Sequence, residues 1–119
     1  NHNCGEEPLY PYESCNLGSI NLYAFIEFSE DGKAYFNWDE YHKTIRIALR
    51  FLDNIIDANK FPIRKIENTT KKSRKVGLGL MGLADTLYAL KIPYNSEDGF
   101  NLMKKIAEHL TYYAMDESV

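Results

Sequence analysis

Two thiols and three carboxylates crowd the first fifteen residues of the chain. In NHNCGEEPLYPYESC, Cys4 and Cys15 stand eleven positions apart with Glu6 and Glu7 between them. The run holds too much Gly, Pro and Asn for a helix to join the cysteines, so it reads as a loop carrying two thiols. In an extended loop residues i and i+2 point the same way. The Cys4 sulfur and the Glu6 carboxylate would then face one small ligand together. Two cysteines make no disulfide framework, and in a reducing cytosol they are catalytic, redox-active or buried as small hydrophobes. The residues alone leave those three readings open.

Other stretches compete for the role of site. Gly77-Leu78-Gly79-Leu80-Met81-Gly82 fits GxGxxG, with Glu97 twenty residues past Gly77. A dinucleotide fingerprint needs a strand directly before it, and here Lys71-Lys72-Ser73-Arg74-Lys75 precedes, with only Val76 apolar. The glycines read instead as places where a helix and a neighbouring backbone pack closely. Free N–H groups and Arg74 meeting a phosphate is a weaker third reading. Zinc at Cys4 and Cys15 would need two further ligands at a different spacing. His42 and His109 are expected to face solvent or a partner, and the basic run is a solvated loop without the aromatic platform of a nucleic-acid binder.

The elements that must position these residues follow from periodicity. Ser19 to Phe28 alternates Ile20, Leu22, Ala24 and Ile26 with Asn21, Tyr23, Phe25 and Glu27, which predicts one internal strand covered on both sides. An Asp31-Gly32 turn leads to a short return strand at Ala34-Tyr35-Phe36. Asn37 caps a helix with Glu40 three residues on and with Phe36 and Tyr41 as a hydrophobic staple. Its apolar stripe is Tyr41, Ile45, Ala48, Leu49, Leu52, Ile55 and Ile56, ending near Asn59, and Phe61-Pro62 stops it. Ile63 to Lys75 reads as a polar connector, and Val76 to Leu90 as a second helix. Ser96 caps a third, with Glu97 and Asp98 at its positive end and Phe100, Met103, Ala107, Leu110 and Ala114 as its buried face.

Composition bounds the rest. The 119 residues suit one modest domain, with 45% hydrophobic residues, 26% charged residues and a net charge of −3. That balance calls for no nucleic acid. No apolar run nears the length of a membrane span and no signal-peptide layout opens the chain, so the expected compartment is cytoplasmic. Residue 1 beside the thiol loop and a helical pattern running to Val119 suggest a piece of a larger protein.

Two long blocks carry a family resemblance. CGEEPLYPYESCNLGSINL resembles the finger loop of ribonucleotide reductase catalytic subunits, most closely the adenosylcobalamin-dependent class. RKVGLGLMGLADTLYALKIPYNSEDG resembles a later stretch of the same family, in the same order. The resemblance implies an α/β fold, part of a ten-stranded α/β barrel whose centre receives the loop. It implies Cys4 as the thiyl radical that abstracts the ribose 3′ hydrogen, Glu6 as the general base at the 3′ hydroxyl, and Cys15 as one of the redox pair. It also implies a ribonucleotide substrate, a thiol reductant such as thioredoxin, and a homodimer. The second redox cysteine and the adenosylcobalamin site would lie in the rest of the reductase chain. The residues do not separate cobalamin from iron as radical source, or diphosphate from triphosphate as substrate.

One departure stands out. The family has Asn-Pro before the radical cysteine, where this chain has His2-Asn3. His-Asn followed by Cys resembles the end of an intein, in which the asparagine cyclises with help from the histidine and the next cysteine is the acceptor nucleophile. On that reading residues 1–3 are an intein remnant, 4–119 are the reductase portion, and His2, Asn3 and Cys4 form the splice junction; the alternatives are an unusual native loop sequence or a vector scar. Alone, the segment is expected to be inactive. A nucleotide-binding module built on Gly77 to Gly82 is the competing class.

Overall fold

The computed structural model describes residues 8–119. Among them the chain forms four strands and four α-helices: β1 (Asn16–Asn21), β2 (Ile26–Phe28), β3 (Ala34–Phe36), α1 (Trp38–Ala58), α2 (Arg64–Ser73), β4 (Val76–Met81), α3 (Leu83–Ala89) and α4 (Glu97–Glu117). The fold is mixed α/β. The strands form two separate pairs, parallel β1–β4 and antiparallel β2–β3, and no closed barrel is present among the described residues.

The expected single strand from Ser19 to Phe28 is broken in two. The Asn21 side chain accepts a hydrogen bond from the Tyr23 N–H at 3.2 Å and starts a 3-10 turn over Leu22–Phe25. An Asn side chain that captures a nearby backbone N–H offers the chain an alternative to the ladder. With three residues per turn, Leu22 and Phe25 fall on one side, and both are buried. Period-2 reading put them on opposite faces. The hairpin is as expected: Ile26 pairs with Phe36 and Phe28 with Ala34, around a turn in which Gly32 has φ 79°.

Helix α1 forms where its pattern places it. Asn37 Oδ1 accepts the Glu40 N–H at 3.1 Å, and the Phe36 and Tyr41 rings close the staple at 5.4 Å between centroids. Tyr41, Ile45, Leu49, Leu52 and Ile56 are buried along one stripe, each worth roughly 1.5–3 kcal/mol of apolar burial. The core gathers Ile20, Leu22, Phe25, Phe36, Tyr41, Ile45 and Ile106. Tyr41 is fully enclosed; burial pushes its phenol up to about 12, so it stays protonated and donates to the Ile106 carbonyl at 3.0 Å.

Two segments depart from the sequence reading. The polar connector folds as helix α2, because Thr70 is buried against the loop before β1 rather than against an apolar core. The glycine-rich run is not the opening of a helix but strand β4. Val76, Leu78 and Leu80 alternate with Gly77 and Gly79, which is strand period. The helical spacing of Leu80, Leu83, Ala84 and Leu87 runs across a real break at Gly82, whose φ of 75° starts α3.

Helix α4 begins at Ser96, whose hydroxyl accepts the Gly99 N–H at 3.0 Å. Its inward face differs from the expected one. Ile106 is buried and Leu102, Leu110, Tyr113 and Ala114 pack beside it, whereas Phe100 and Ala107 are exposed. The contacts Tyr41–Ile106, His42–His109 and Arg46–Asp116 climb both helices together, so α1 and α4 run parallel.

Candidate functional site

The part of the thiol loop within the described residues runs from Pro8 into β1, and Cys15 is its last residue before the strand. In β1 the residues Asn16, Gly18 and Ile20 turn toward α1: the Asn16 side-chain amide donates to the Leu52 carbonyl at 3.1 Å, and the Leu52 side chain lies 3.4 Å from where a Cβ on Gly18 would stand. Leu17 and Ser19 have the opposite parity, on the face that α1 does not cover. Cys15 is the half-buried residue directly before the strand.

The open face is shaped by glycine. The parallel register sets Leu17 beside Gly77 and Ser19 beside Gly79. A Cβ on Gly77 would strike the Leu17 side chain, and one on Gly79 would press the Ser19 hydroxyl at 3.4 Å. The absent side chains leave a groove of about 380 Å³ lined by Leu17, Gly18, Ser19, Gly77, Leu78 and Gly79. At the far end Gly82 sits against the Asn21 side chain.

Polar contacts fix the loop. Glu13, whose side chain is 6% exposed, accepts the Tyr10 N–H at 2.7 Å and pairs with the Lys75 ammonium at 3.0 Å. The Tyr10 amide, then Lys75, holds the Glu13 carboxyl below the usual carboxylate range, so Glu13 is a fixed anion rather than a proton carrier. Lys75 also donates to the Pro8 carbonyl at 2.9 Å. Ser14 is tied to Thr70 through its N–H at 3.3 Å and its hydroxyl at 3.1 Å. Lys65 lies 4.1 Å from the centre of the Tyr12 ring, a cation–π contact.

Of the residues singled out in the sequence, His2, Asn3, Cys4 and Glu6 lie outside the described residues, and Cys15 stands where the loop meets the sheet. The dinucleotide geometry is not formed, since Gly77 and Gly79 are inside a strand rather than in a loop between strand and helix. Arg74 does not await a phosphate. Its φ is 47°, and its guanidinium grips Asp53 at 2.8 and 2.9 Å and Asp57 at 3.0 and 3.1 Å, tying the entry of β4 to the end of α1. His42 and His109 do not face solvent separately but meet at 2.6 Å, with His42 stacked on Tyr113. No group of three or more His, Cys, Asp or Glu able to hold a metal occurs among the described residues. No described helix is long and apolar enough to cross a membrane.

Sequence reasoning misses Glu13, Ser14 and Thr70, and takes Lys75 only as part of a solvated basic run. The one available signal was a carboxylate and a hydroxyl immediately before a cysteine; their partners lie more than fifty positions away.

Comparison with known proteins bears directly on this arrangement. The ribonucleotide reductase barrel domain matches residues 2–119. The chain is 52% identical over 103 residues to a vitamin B12-dependent ribonucleoside-diphosphate reductase of Thermoplasma acidophilum, covering 87% of this chain and 13% of that protein. It is 44% identical over 107 residues to one from Mycobacterium tuberculosis, covering 90% and 15%. A ribonucleoside-diphosphate reductase large chain of Saccharomyces cerevisiae is 39% identical over 105 residues, covering 87% and 12%. The chain therefore spans less than one sixth of the length of these relatives. A loop thiol held at the head of a parallel strand pair, in a sequence matched along nearly all its length, places the chain in the ribonucleotide reductase large-subunit family, as part of its barrel domain.

Proposed function

We propose that this segment supplies the thiol loop and two neighbouring strands of a ribonucleotide reductase that converts ribonucleoside diphosphates to 2′-deoxyribonucleoside diphosphates. The observation that carries the reading is the place of Cys15 directly before β1, next to Glu13 and Ser14, which Lys75 and Thr70 tie down. In the complete protein β1 and β4 belong to a ten-stranded α/β barrel, and the open face with its glycine-lined groove turns toward the barrel interior.

The chemistry assigned to this chain's residues balances as follows. Cys4, as a thiyl radical, takes the hydrogen atom from the ribose 3′ carbon and returns it at the end. Glu6 accepts the 3′ hydroxyl proton, which favours departure of the neighbouring 2′ hydroxyl. That hydroxyl leaves as water, taking a proton from a thiol. Cys15 and a second cysteine elsewhere in the full chain give up two electrons and two protons in total and end as a disulfide. The sum is ribonucleotide plus two thiols to deoxyribonucleotide, water and disulfide. An external dithiol reductant of the thioredoxin kind then restores the pair.

Adenosylcobalamin, when bound, supplies the radical, and the names of the relatives at 52% and 44% identity favour it over an iron source. The described residues do not form its site: the groove offers Leu17, Ser19 and backbone, with no group to ligate or embrace a large ring. The cofactor therefore belongs to the remainder of the reductase. Assembly as a cytoplasmic homodimer is part of the same reading.

In the full-length protein, Cys4→Ser is expected to abolish ribonucleotide reduction, and Cys15→Ser to stop multiple turnover with the external reductant. Full activity in the first variant would overturn the radical assignment; unchanged turnover in the second would remove the redox role. The run His2-Asn3-Cys4 supports a compatible second reading, an intein junction at which Cys4 is first the splicing nucleophile. Mass spectrometry of the protein expressed from its complete reading frame tests it, because splicing leaves Cys4 joined to an upstream segment that no longer ends in His-Asn.

A further inference from the structure

Three consecutive residues precede β1, and the first two are anchored. Glu13 is held by Lys75 and Ser14 by Thr70, which is 2% exposed, so Cys15 has little freedom in where it enters the strand. Lys75 does more than neutralise Glu13. Its ammonium reaches the Pro8 carbonyl at 2.9 Å and Glu13 at 3.0 Å, and stands 5.0 Å from the centre of the Tyr10 ring. An ammonium has three donors on a flexible stem, so a single lysine gathers both ends of the turn Pro8–Glu13.

Lys75 is itself well located. It lies between Arg74, clamped to Asp53 and Asp57, and Val76, paired with Asn16 in the parallel ladder. The loop is therefore indexed to β4, the strand whose glycines line the groove.

We infer that Lys75 is a positioning residue for Cys15: through Glu13 and the Pro8 carbonyl it fixes where the thiol stands at the head of β1. The inference rests on the redox reading of Cys15 above. In this scheme Lys75 acts on the thiol through Glu13 and the Pro8 carbonyl.

The test uses the full-length reductase. Lys75→Met keeps the apolar stem and removes the ammonium. It is expected to lower kcat for multiple turnover with a dithiol reductant about tenfold, the scale on which small misplacement of a reacting group acts, with KM for the nucleotide unchanged. The iodoacetamide alkylation rate of Cys15, read by mass spectrometry in the reduced enzyme, is expected to rise by about the same factor. Lys75→Arg keeps a cation in reach of both acceptors and should restore both readings. Wild-type alkylation and kcat in Lys75→Met would overturn the inference, as would failure of Lys75→Arg to restore them.

Removing the ammonium leaves the Glu13 carboxylate enclosed and unpaired, which can prevent folding. The double variant Lys75→Met/Glu13→Gln leaves no such charge and is read in the same way: altered Cys15 alkylation supports the inference and wild-type alkylation overturns it. If Cys15→Ser retained full turnover, the redox reading would fail while Cys15 alkylation in Lys75→Met still reported the positioning.

Discussion

The aromatic end of α1 and the loop before β1 are both held firmly, by opposite means. Around Tyr41, the rings of Phe25, Phe36 and Trp38 lie 5.4–6.1 Å away, centre to centre, and the Tyr41 hydroxyl finds the Ile106 carbonyl. Around Glu13, nearly every tie is a charge or a hydroxyl: Lys75, the Tyr10 amide, Ser14 with Thr70. Apolar contact is undirected and tolerates small shifts, whereas a charge-assisted bond specifies distance and angle. A core needs mass and enclosure; on the proposed redox reading of Cys15, the loop needs an address.

That contrast can be broken at its strongest point first. Tyr41→Ala empties the centre of the aromatic group and removes the hydroxyl's bond to the Ile106 carbonyl, so a loss of roughly 3–5 kcal/mol is expected, seen as collapse of hydrogen-exchange protection along α1 and α4 in the full-length protein. Protection of the helices equal to wild type would mean the rings are not what holds α1.

Gly82→Val comes next. Its φ of 75° is strained for a β-branched residue and the added Cβ would meet the Asn21 side chain at the end of β1, so a loss of about 1–3 kcal/mol is expected. The expected signature is local: protection of β1 and β4 falls while α1 and α4 keep theirs. An equal loss everywhere would show that the open face and the core are one cooperative unit.

A smaller effect separates cap from core. Asn37→Ala removes the acceptor for the Glu40 N–H and should cost about 1 kcal/mol, confined to the first turn of α1. Asn37→Asp, which keeps an acceptor, is expected to restore it.

The smallest effect is a pH dependence on the flank of the aromatic end. Burial, then the neighbouring His109, holds the His42 imidazole below its ordinary value; Arg46 and Lys105 act in the same direction and Asp39 against it. With a lower value folded than unfolded, the stabilisation is complete above the unfolded value of about 6.5 and is lost as pH falls through it toward the folded one. Hydrogen exchange at the α1–α4 contact should therefore quicken between neutral pH and about pH 5.5 beyond its intrinsic rate change, and His42→Phe should flatten that dependence. No response in the wild-type protein would place the histidine contact outside the stability of the pair.

How much of this could be read from sequence differs between the two regions for the same reason. Helix α1, its cap and its staple were legible because each signal lies within a few residues of what it determines. The hairpin at Gly32 and the start of α4 at Ser96 were legible on the same grounds. Strand β4 was misread as helix because Leu80, Leu83 and Leu87 have helical spacing and only the backbone of Gly82 reveals the break. The polar segment that becomes α2 hid a helix whose buried residue, Thr70, is satisfied by Ser14 rather than by other apolar side chains. The clamp on Cys15 was invisible because Glu13 and Lys75 look like any exposed acid and base until the parallel ladder brings them together. Cys15 itself is legible through its type and through the family resemblance; its place directly before a strand paired with β4 comes only with the register of β1.

The parallel register has a consequence in time. Asn16 pairs with Val76, sixty positions later. At synthesis rates of roughly 5–20 residues per second, β1 leaves the ribosome about 3–12 s before its partner strand. Through that interval neither the ladder nor Lys75 exists to gather the loop, and α1, built from local signals, is already able to form. The loop from Pro8 to Cys15 is thus among the last parts to be organised, and Cys15 passes its earliest seconds without those ties in the reducing surroundings of translation, where a premature disulfide is least favoured.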